Sequence, residues 1–302
     1  MKVGVIGVGA LGYHHARLYA EMEGVELVGV HDRCLATSKS VAANFGCRSF
    51  ASVLDLCMHV DAVSIAVPTA EHYGAAYLAL KNDCHVLIEK PYAATVAECD
   101  ALTALASSRD VIVHVGHVER FNPAVAWLRE NMGKPWIINA RRFAKYPPAR
   151  SGEQPRGTDV SVVMDLMIHD IDAILSLVDS PLQLIKAGGV YDDMSAELYF
   201  TNGVTAYLHA KRNANEPQRT ISVLKPSAEY QMDYQTQGGI LASADGTKTP
   251  IQPASRNALA DELAAFVACC QGGESLIAAT AFEATAAVRV AKQIEECAGL
   301  SL

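Results

Sequence analysis

The run from Lys2 to Gly12, KVGVIGVGALG, restricts the possible folds more than any other stretch of the 302-residue chain. A strand-like segment leads into Gly7, Gly9 and Gly12, spaced G-x-G-x-x-G, and a helical pattern opens directly behind them. Asp32 stands 20 residues after Gly12, at the end of a second strand-like run, VELVGVHD. Strand, glycine turn, helix, strand and acid in that order are the fingerprint of a dinucleotide-binding βαβ unit. Gly7 permits the tight turn and Gly9 lets the backbone approach a pyrophosphate. Gly12 lets helix and strand pack closely, and the helix N-terminus, with Ala10 and Leu11, favours the anion. Asp32 suits the adenosine ribose hydroxyls and repels a 2′-phosphate, which favours NAD; Arg33 beside it could stack on adenine or accommodate NADP, so NADP stays open.

The first 120 or so residues continue the alternation. DAVSIAVP, HVLIEKP and VIVHVGHV read as strands, and helices are expected near 11–22, 70–81 and 95–108, the last opening with a Thr95 to Glu98 capping box. Such alternation builds a parallel sheet covered on both faces. Beyond residue 122 the pattern changes to WIINARRFAKY, LQLIKAGGVY, AELYF, VTAYLHAK, RTISVL and AEYQMDY, interrupted by one helical segment over 159–178. Asn202-Gly203 between two of these runs is a hairpin signal, so the second sheet is expected to be antiparallel. Two further helices are expected near 255–271 and 280–298. The expected fold class is α/β: an N-terminal Rossmann parallel sheet over 1–122, then an α+β domain over 123–302 with a large antiparallel sheet, its last helix free to pack back on the first domain. The proline-rich stretch 146–157 is expected to be an irregular loop.

Composition narrows the function. The net charge of −8 gives no general reason to bind nucleic acid or an anionic membrane, so any phosphate recognition must be local. The eight cysteines show no CxxC pair or disulfide framework and read as reduced thiols, and no Cys/His/Asp cluster has metal-ligand spacing. The sequence begins on a strand and contains no apolar run of the roughly 20 residues a membrane helix needs, so a cytoplasmic protein is expected.

Four motifs carry chemistry. Glu89-Lys90-Pro91 closes the run HVLIEKP, VPTAEH spans Val67 to His72, GHVERFNP spans Gly116 to Pro123, and Asp165-x-x-x-His169 lies within the helical segment. On these motifs, in this order, the chain resembles the Gfo/Idh/MocA oxidoreductase family from end to end. The resemblance implies a Rossmann domain carrying NAD(P) and a second domain with a large open antiparallel sheet that supplies substrate groups and often the oligomer contact. It implies substrates among sugars, inositols and sugar nucleotides, and it makes Lys90 and His169 the catalytic pair.

The residues agree with that chemistry. Oxidising a secondary alcohol requires a base for the hydroxyl proton and a group that steadies the developing oxygen charge. Lys90 sits at the carboxyl end of a parallel strand, where open α/β sheets bind ligands. His169 shares a helical face with Asp165 and Asp172, expected to line the cleft between domains, while Asp170 points about a quarter-turn away and is expected to cap, pair or face solvent. Asp165 is expected to bind a substrate hydroxyl or orient His169; Asp172 is the alternative for the latter role. By resemblance Pro68, Thr69 and His72 contact the nicotinamide side of the cofactor together with Glu89 and Lys90, though His72 could equally cap its helix. Of His14 and His15, adjacent on a helix, at most one faces the site. His117, Glu119, Arg120 and Asn122 sit at the end of the VIVHVGHV run, and Arg120 is a substrate candidate or a domain-joining ion-pair partner.

Arg141, Arg142, Lys145 and Arg150 form a basic cluster in an acidic chain. On a strand Arg141 and Lys145 share one face and Arg142 takes the other, so only part of the group can meet one ligand. The cluster is either a phosphate clamp or a solvated strand edge. The segment Pro155 to Asp172 is most similar to the branch of the family acting on UDP-N-acetylglucosamine at its 3-hydroxyl. The expectation is therefore an NAD-dependent dehydrogenase of a sugar nucleotide, in a homodimer or homotetramer. The alternatives are a free polyol, inositol or sugar dehydrogenase and, outside catalysis, an NAD-binding sensor or scaffold.

Overall fold

The computed structural model describes residues 1–146 and 159–300. Arg150 and nearly all of the expected loop over 146–157 lie outside the described residues. The chain divides into two compact units, Met1–His117 with Leu259–Thr285, and Val118–Ala258 with the chain from Ala286 onward.

The first unit begins β1 (Lys2–Ile6), α1 (Ala10–Glu21), β2 (Glu26–His31), α2 (Leu35–Phe45), β3 (Arg48–Ser49), α3 (Val53–Cys57), β4 (Ala62–Ile65), α4 (Thr69–Lys81), β5 (His85–Glu89), α5 (Val96–Arg109) and β6 (Val113–Gly116). The strands pair in parallel in the order β6-β5-β4-β1-β2-β3. All of β4 and β6 and all but the first residue of β5 are buried, which is why these runs are continuously apolar rather than alternating. The chain runs outward from β1 to β3 and then returns to start again at β4. This reversal puts a ligand crevice at the carboxyl ends of β1 and β4. The Thr95–Glu98 capping box starts α5 as its sequence signature requires.

The second unit opens with a 3-10 turn, Val118–Phe121, and continues through α6 (Pro123–Asn131), β7 (Ile137–Phe143), a π-helical turn Val163–Met167, α7 (Ile168–Leu177), β8 (Leu182–Val190), β9 (Asp193–Phe200), β10 (Thr205–Lys211), β11 (Gln218–Lys225), β12 (Ala228–Asp233), β13 (Gly238–Ser243) and β14 (Lys248–Ile251). The sheet order is β14-β13-β12-β11-β7-β10-β9-β8, antiparallel except where β7 and β10 run parallel. The exception follows from the long excursion through α7, β8 and β9, since only a crossover of a dozen or more residues can return a strand in the same direction. Buried residues alternate along β9 and β10, one sheet face packing against α7 and the other facing outward. The expected helix over 159–178 is thus a π turn followed by α7, with Ser161 Oγ accepting the amides of Val163 and Met164 at 3.2 and 3.3 Å. Ser161 in turn donates to Glu295 in a very short contact.

The chain then returns to the first unit through α8 (Ala258–Cys270) and β15 (Ala279–Thr280), which pairs antiparallel with β6, before α9 (Ala281–Cys297) continues into the second unit. A boundary at residue 122 gives everything after it to the second domain, with the final helix free to pack back. In the structure α8 and the first residues of α9 belong to the first unit, and Leu263, Phe266 and Val267 of α8 join Val3, Val5, Leu18 and Tyr19 in one buried apolar cluster. Among the described residues no helix is long and apolar enough to cross a membrane.

Candidate active site

The glycine turn is built as a cradle. Gly7 adopts φ +81°, and a Cβ there would lie 2.8 Å from the Ala66 backbone. A Cβ at Gly12 would lie 1.8 Å from Gly7 O, so no side chain fits at that position. The first turn of α1 has no side-chain cap, which leaves its amides for an anion at the carboxyl end of β1. Asp32 is fixed from both sides: Oδ2 accepts Val8 N–H and Oδ1 accepts Cys34 N–H, each at 2.9 Å. Its carboxylate stands at the end of β2, where a ribose would lie. Arg33 is exposed, with Nη1 3.6 Å from Glu71 Oε1. These features fit a bound nicotinamide dinucleotide: an uncapped helix end for the diphosphate, no room for side chains beneath it, and an acid for the ribose hydroxyls.

Pro68 and Thr69 open α4, and His72 on its first turns is buried. Its Nδ1 lies 2.7 Å from Pro91 O and its Nε2 3.0 Å from Val67 O. Both ring nitrogens thus face backbone carbonyls, so His72 ties the β4 loop to the Lys90 segment rather than offering a free nitrogen to a cofactor. Burial holds its pKa below the ordinary value. Lys90 is half-buried directly after β5. Of the two adjacent histidines, His14 is exposed and His15 is buried, with Nε2 3.1 Å from Glu89 Oε1.

In the second unit Asp165 lies in the π turn and His169 in the first turn of α7, both half-buried. π turns are uncommon and often mark functional positions. Arg212 lies behind Asp165, 3.6 Å from Oδ2. The Arg212 guanidinium also lies 2.9 Å from Asp192 and donates to Val160 O at 2.8 Å, between the rings of Tyr146 and Tyr191. Sequence reasoning missed Arg212 because a lone arginine after a strand looks like a solvated edge. Ser161 had a legible signal, a small hydroxyl residue just before an apolar helical run.

Two substrate candidates are occupied elsewhere. Arg120 grips Asp172 in a two-pronged pair, Nε to Oδ2 at 2.8 Å and Nη2 to Oδ1 at 2.7 Å, with both side chains buried. A buried charge needs a partner, and each supplies one for the other. Asp170 pairs, one of the roles expected for it. Arg142 meets its carboxylate with Nε and Nη2, both at 2.9 Å, and reaches Glu119 Oε1 with Nη1 at 2.9 Å. Burial works against the Arg142 charge, but Asp170 and Glu119 outweigh it and raise its pKa. Asn122 Nδ2 donates to Glu119 Oε2 and to Tyr234 O, both at 2.9 Å, completing the network.

The basic cluster is also divided. Arg142 points toward α7, so Arg141, its neighbour on β7, points to the opposite, exposed face beside His209 and Thr220. Lys145 is exposed beyond the strand's end. Arg141 therefore does not share the face of the sheet on which His169 lies. His117 is buried at the end of the first unit.

A glycine-built cradle at the switch point of a doubly wound sheet, with a fixed acid at the end of β2, defines a dinucleotide-binding domain of the nicotinamide-dependent oxidoreductase class. The chain belongs to the Gfo/Idh/MocA oxidoreductase family. Residues 1–117 match the family model described as "Oxidoreductase family, NAD-binding Rossmann fold". Over 283 residues, 88% of this chain and 88% of the relative, it is 35% identical to UDP-N-acetylglucosamine 3-dehydrogenase of Acidithiobacillus ferrooxidans. A solved structure of the enzyme of that name and organism superposes with a TM-score of 0.91 at 32% identity, covering 99% of this chain and 97% of that one. The scyllo-inositol 2-dehydrogenase (NAD(+)) of Bacillus subtilis is 28% identical over 200 residues, 63% of this chain and 57% of the relative. The protein is an NAD(P)-dependent dehydrogenase.

Proposed function

We propose that the enzyme oxidises the 3-hydroxyl of UDP-N-acetylglucosamine, with NAD as the preferred acceptor. The observation that carries this reading is the 35% identity, sustained over 88% of both chains, to a dehydrogenase named for that substrate. On this reading Lys90, Asp165 and His169 carry the chemistry. His169 takes the hydroxyl proton on an imidazole nitrogen, and the Lys90 ammonium stabilises the negative charge that grows on the oxygen as the proton leaves. Asp165, steadied by Arg212, orients the substrate or the imidazole. NAD, held by Gly7, Gly9, Gly12 and Asp32 with Pro68 and Thr69 alongside, supplies the two-electron acceptor for the hydrogen on carbon. The fixed carboxylate of Asp32 disfavours a 2′-phosphate, hence NAD over NADP.

A second reading, a free polyol or inositol dehydrogenase, gains support from Arg141. Its turn away from the His169 face removes the argument that the basic strand holds a diphosphate. Reduced-nicotinamide absorbance, followed with UDP-N-acetylglucosamine and with free inositols and hexoses in the presence of a carbonyl trap, separates the two. Turnover on the nucleotide sugar alone supports the first reading; turnover on a free polyol alone replaces it with the second. In the same assay His169→Asn should leave NAD affinity near wild type and lower turnover by about 10²-fold or more.

The proposal extends to a homodimer or homotetramer in the cytoplasm. The outward sheet face carries exposed Tyr207, Leu224 and Ile240, an apolar contribution suited to a second copy, and the free cysteines suit a reducing compartment. Light scattering at several protein concentrations gives the assembly size.

A further inference from the structure

The segment that presents Lys90 is held from three sides. Glu89, the last residue of β5, is buried, and its two carboxylate oxygens do different work. Oε1 meets His15 Nε2 at 3.1 Å, and Oε2 accepts the backbone N–H of Lys90 itself at 3.2 Å. One residue further on, Pro91 O lies 2.7 Å from His72 Nδ1. On the remaining side β6 passes with Gly116 opposite Glu89. A Cβ there would come within 3.1 Å of the carboxylate, so the glycine leaves the space the acid occupies.

His15 lies two turns into α1, the helix whose first turn forms the dinucleotide cradle. It is completely buried, and on α1 it is the inward partner of the exposed His14. A buried histidine spent only on packing would have no need of a carboxylate, and a buried carboxylate is costly unless paired. The pair therefore joins the cradle helix to the lysine segment through a charge-assisted hydrogen bond in a dry interior.

We propose that His15 and Glu89 are a positioning pair for Lys90: they fix the backbone from which the lysine projects and hold a negative charge one residue from its ammonium. The inference rests on the reading of Lys90 as the group that acts on the substrate oxygen. The titratable side chains that act most on Glu89 are His15 from α1, Lys90 from its own segment and His72 from α4, and the residue opposite it on β6 is Gly116. Burial by itself would raise the pKa of Glu89, but His15 first and then Lys90 and His72 outweigh it and hold the acid below its ordinary value, ionised. The ionised carboxylate accepts the Lys90 backbone N–H and so fixes the point from which the side chain starts.

Glu89→Gln tests this on the full-length enzyme, because the amide keeps the shape and an acceptor for Lys90 N–H while removing the charge. The first readout needs no substrate: the rate of Lys90 acylation by an amine-selective reagent at one fixed pH, followed by peptide mass spectrometry. That rate should change several-fold in Glu89→Gln, since the segment from which the lysine projects loses the carboxylate that fixes its backbone N–H. An unchanged rate together with an unchanged kcat would overturn the proposal. Should Glu89→Gln fail to fold, His15→Gln serves as the second variant. It breaks the imidazole contact while keeping the carboxylate, and it should lower kcat several-fold with little change in NAD dissociation constant or substrate KM. Equal losses in stability, NAD affinity and kcat in that variant would reduce the pair to scaffolding. A changed Lys90 acylation rate in an enzyme that turns over no sugar would keep the pair and sink the reading of the reaction instead.

Discussion

His114 shows how one side chain can make stability depend on pH. It sits on β6 against the ring of Phe266 from α8, with ring centroids 5.8 Å apart, and among the described residues its Nδ1 has no hydrogen-bond partner. Burial pushes its pKa down to about 4, and Glu283 recovers only part of that loss. The unfolded chain takes up a proton near pH 6.5 that the folded chain refuses until about pH 4, so stability falls as the medium is acidified through that window. The contribution is about 2 to 3 kcal/mol at the acid end. Urea unfolding of the wild type and His114→Leu at pH 7 and pH 4.5 should show a smaller acid loss in the variant. Parallel losses would mean that other groups carry the acid sensitivity. None of this was legible in the sequence, where His114 is one of several histidines in strand-like runs. Its environment is created by α8, which arrives from the far end of the chain.

At the level of elements, legibility follows the range of the interactions involved. The glycine turn, the Thr95–Glu98 box and the Asn202-Gly203 hairpin are local, since each is decided by residues within a few positions, and each can be read directly. The π turn over Val163–Met167 is different. Ser161 caps it, Glu295 from α9 holds Ser161, and Arg212 from beyond β10 lies against Asp165, so a helix that looks regular in sequence is shaped by segments far along the chain. The same distance effect reassigns Asp172. Helical spacing put it on the Asp165–His169 face, and spacing cannot reveal that Arg120 waits there. The Arg120–Asp172 pair predicts its own test. Arg120→Met leaves the Asp172 carboxylate buried without its guanidinium and should cost about 3 to 5 kcal/mol. Arg120→Met combined with Asp172→Leu should recover most of that loss, because both charges leave the interior together. Chemical denaturation of the single and double variants measures the difference. A double variant as unstable as the single would show that the pair's geometry, and not its charge balance, holds α7 to the Val118–Phe121 turn.

For the whole molecule the sequence and the structure divide the chain differently, and the difference has a physical cause. Periodicity changes near residue 122, and a boundary drawn there yields a continuous N-terminal domain. The apolar cluster inside that domain is not complete without α8. Leu263 and Phe266 are fully buried against residues of β1 and α1, and their absence would leave Val3, Val5 and Tyr19 facing water. A fragment of residues 1–122 should therefore fail to unfold cooperatively and should expose apolar surface to a hydrophobic dye. The same fragment joined by a flexible linker to residues 259–285 should regain a cooperative transition. In the intact chain, Phe266→Ala should cost about 3 to 5 kcal/mol, the range for emptying a fully packed aromatic site. Its unfolding should be detectable at the NAD cradle, well before it in sequence, as reduced dinucleotide binding on mild heating. Cooperative unfolding of the 1–122 fragment alone would show that the strand-rich core suffices and that α8 merely covers it. The expected failure would show that this dinucleotide domain is closed only by chain synthesised after the second sheet.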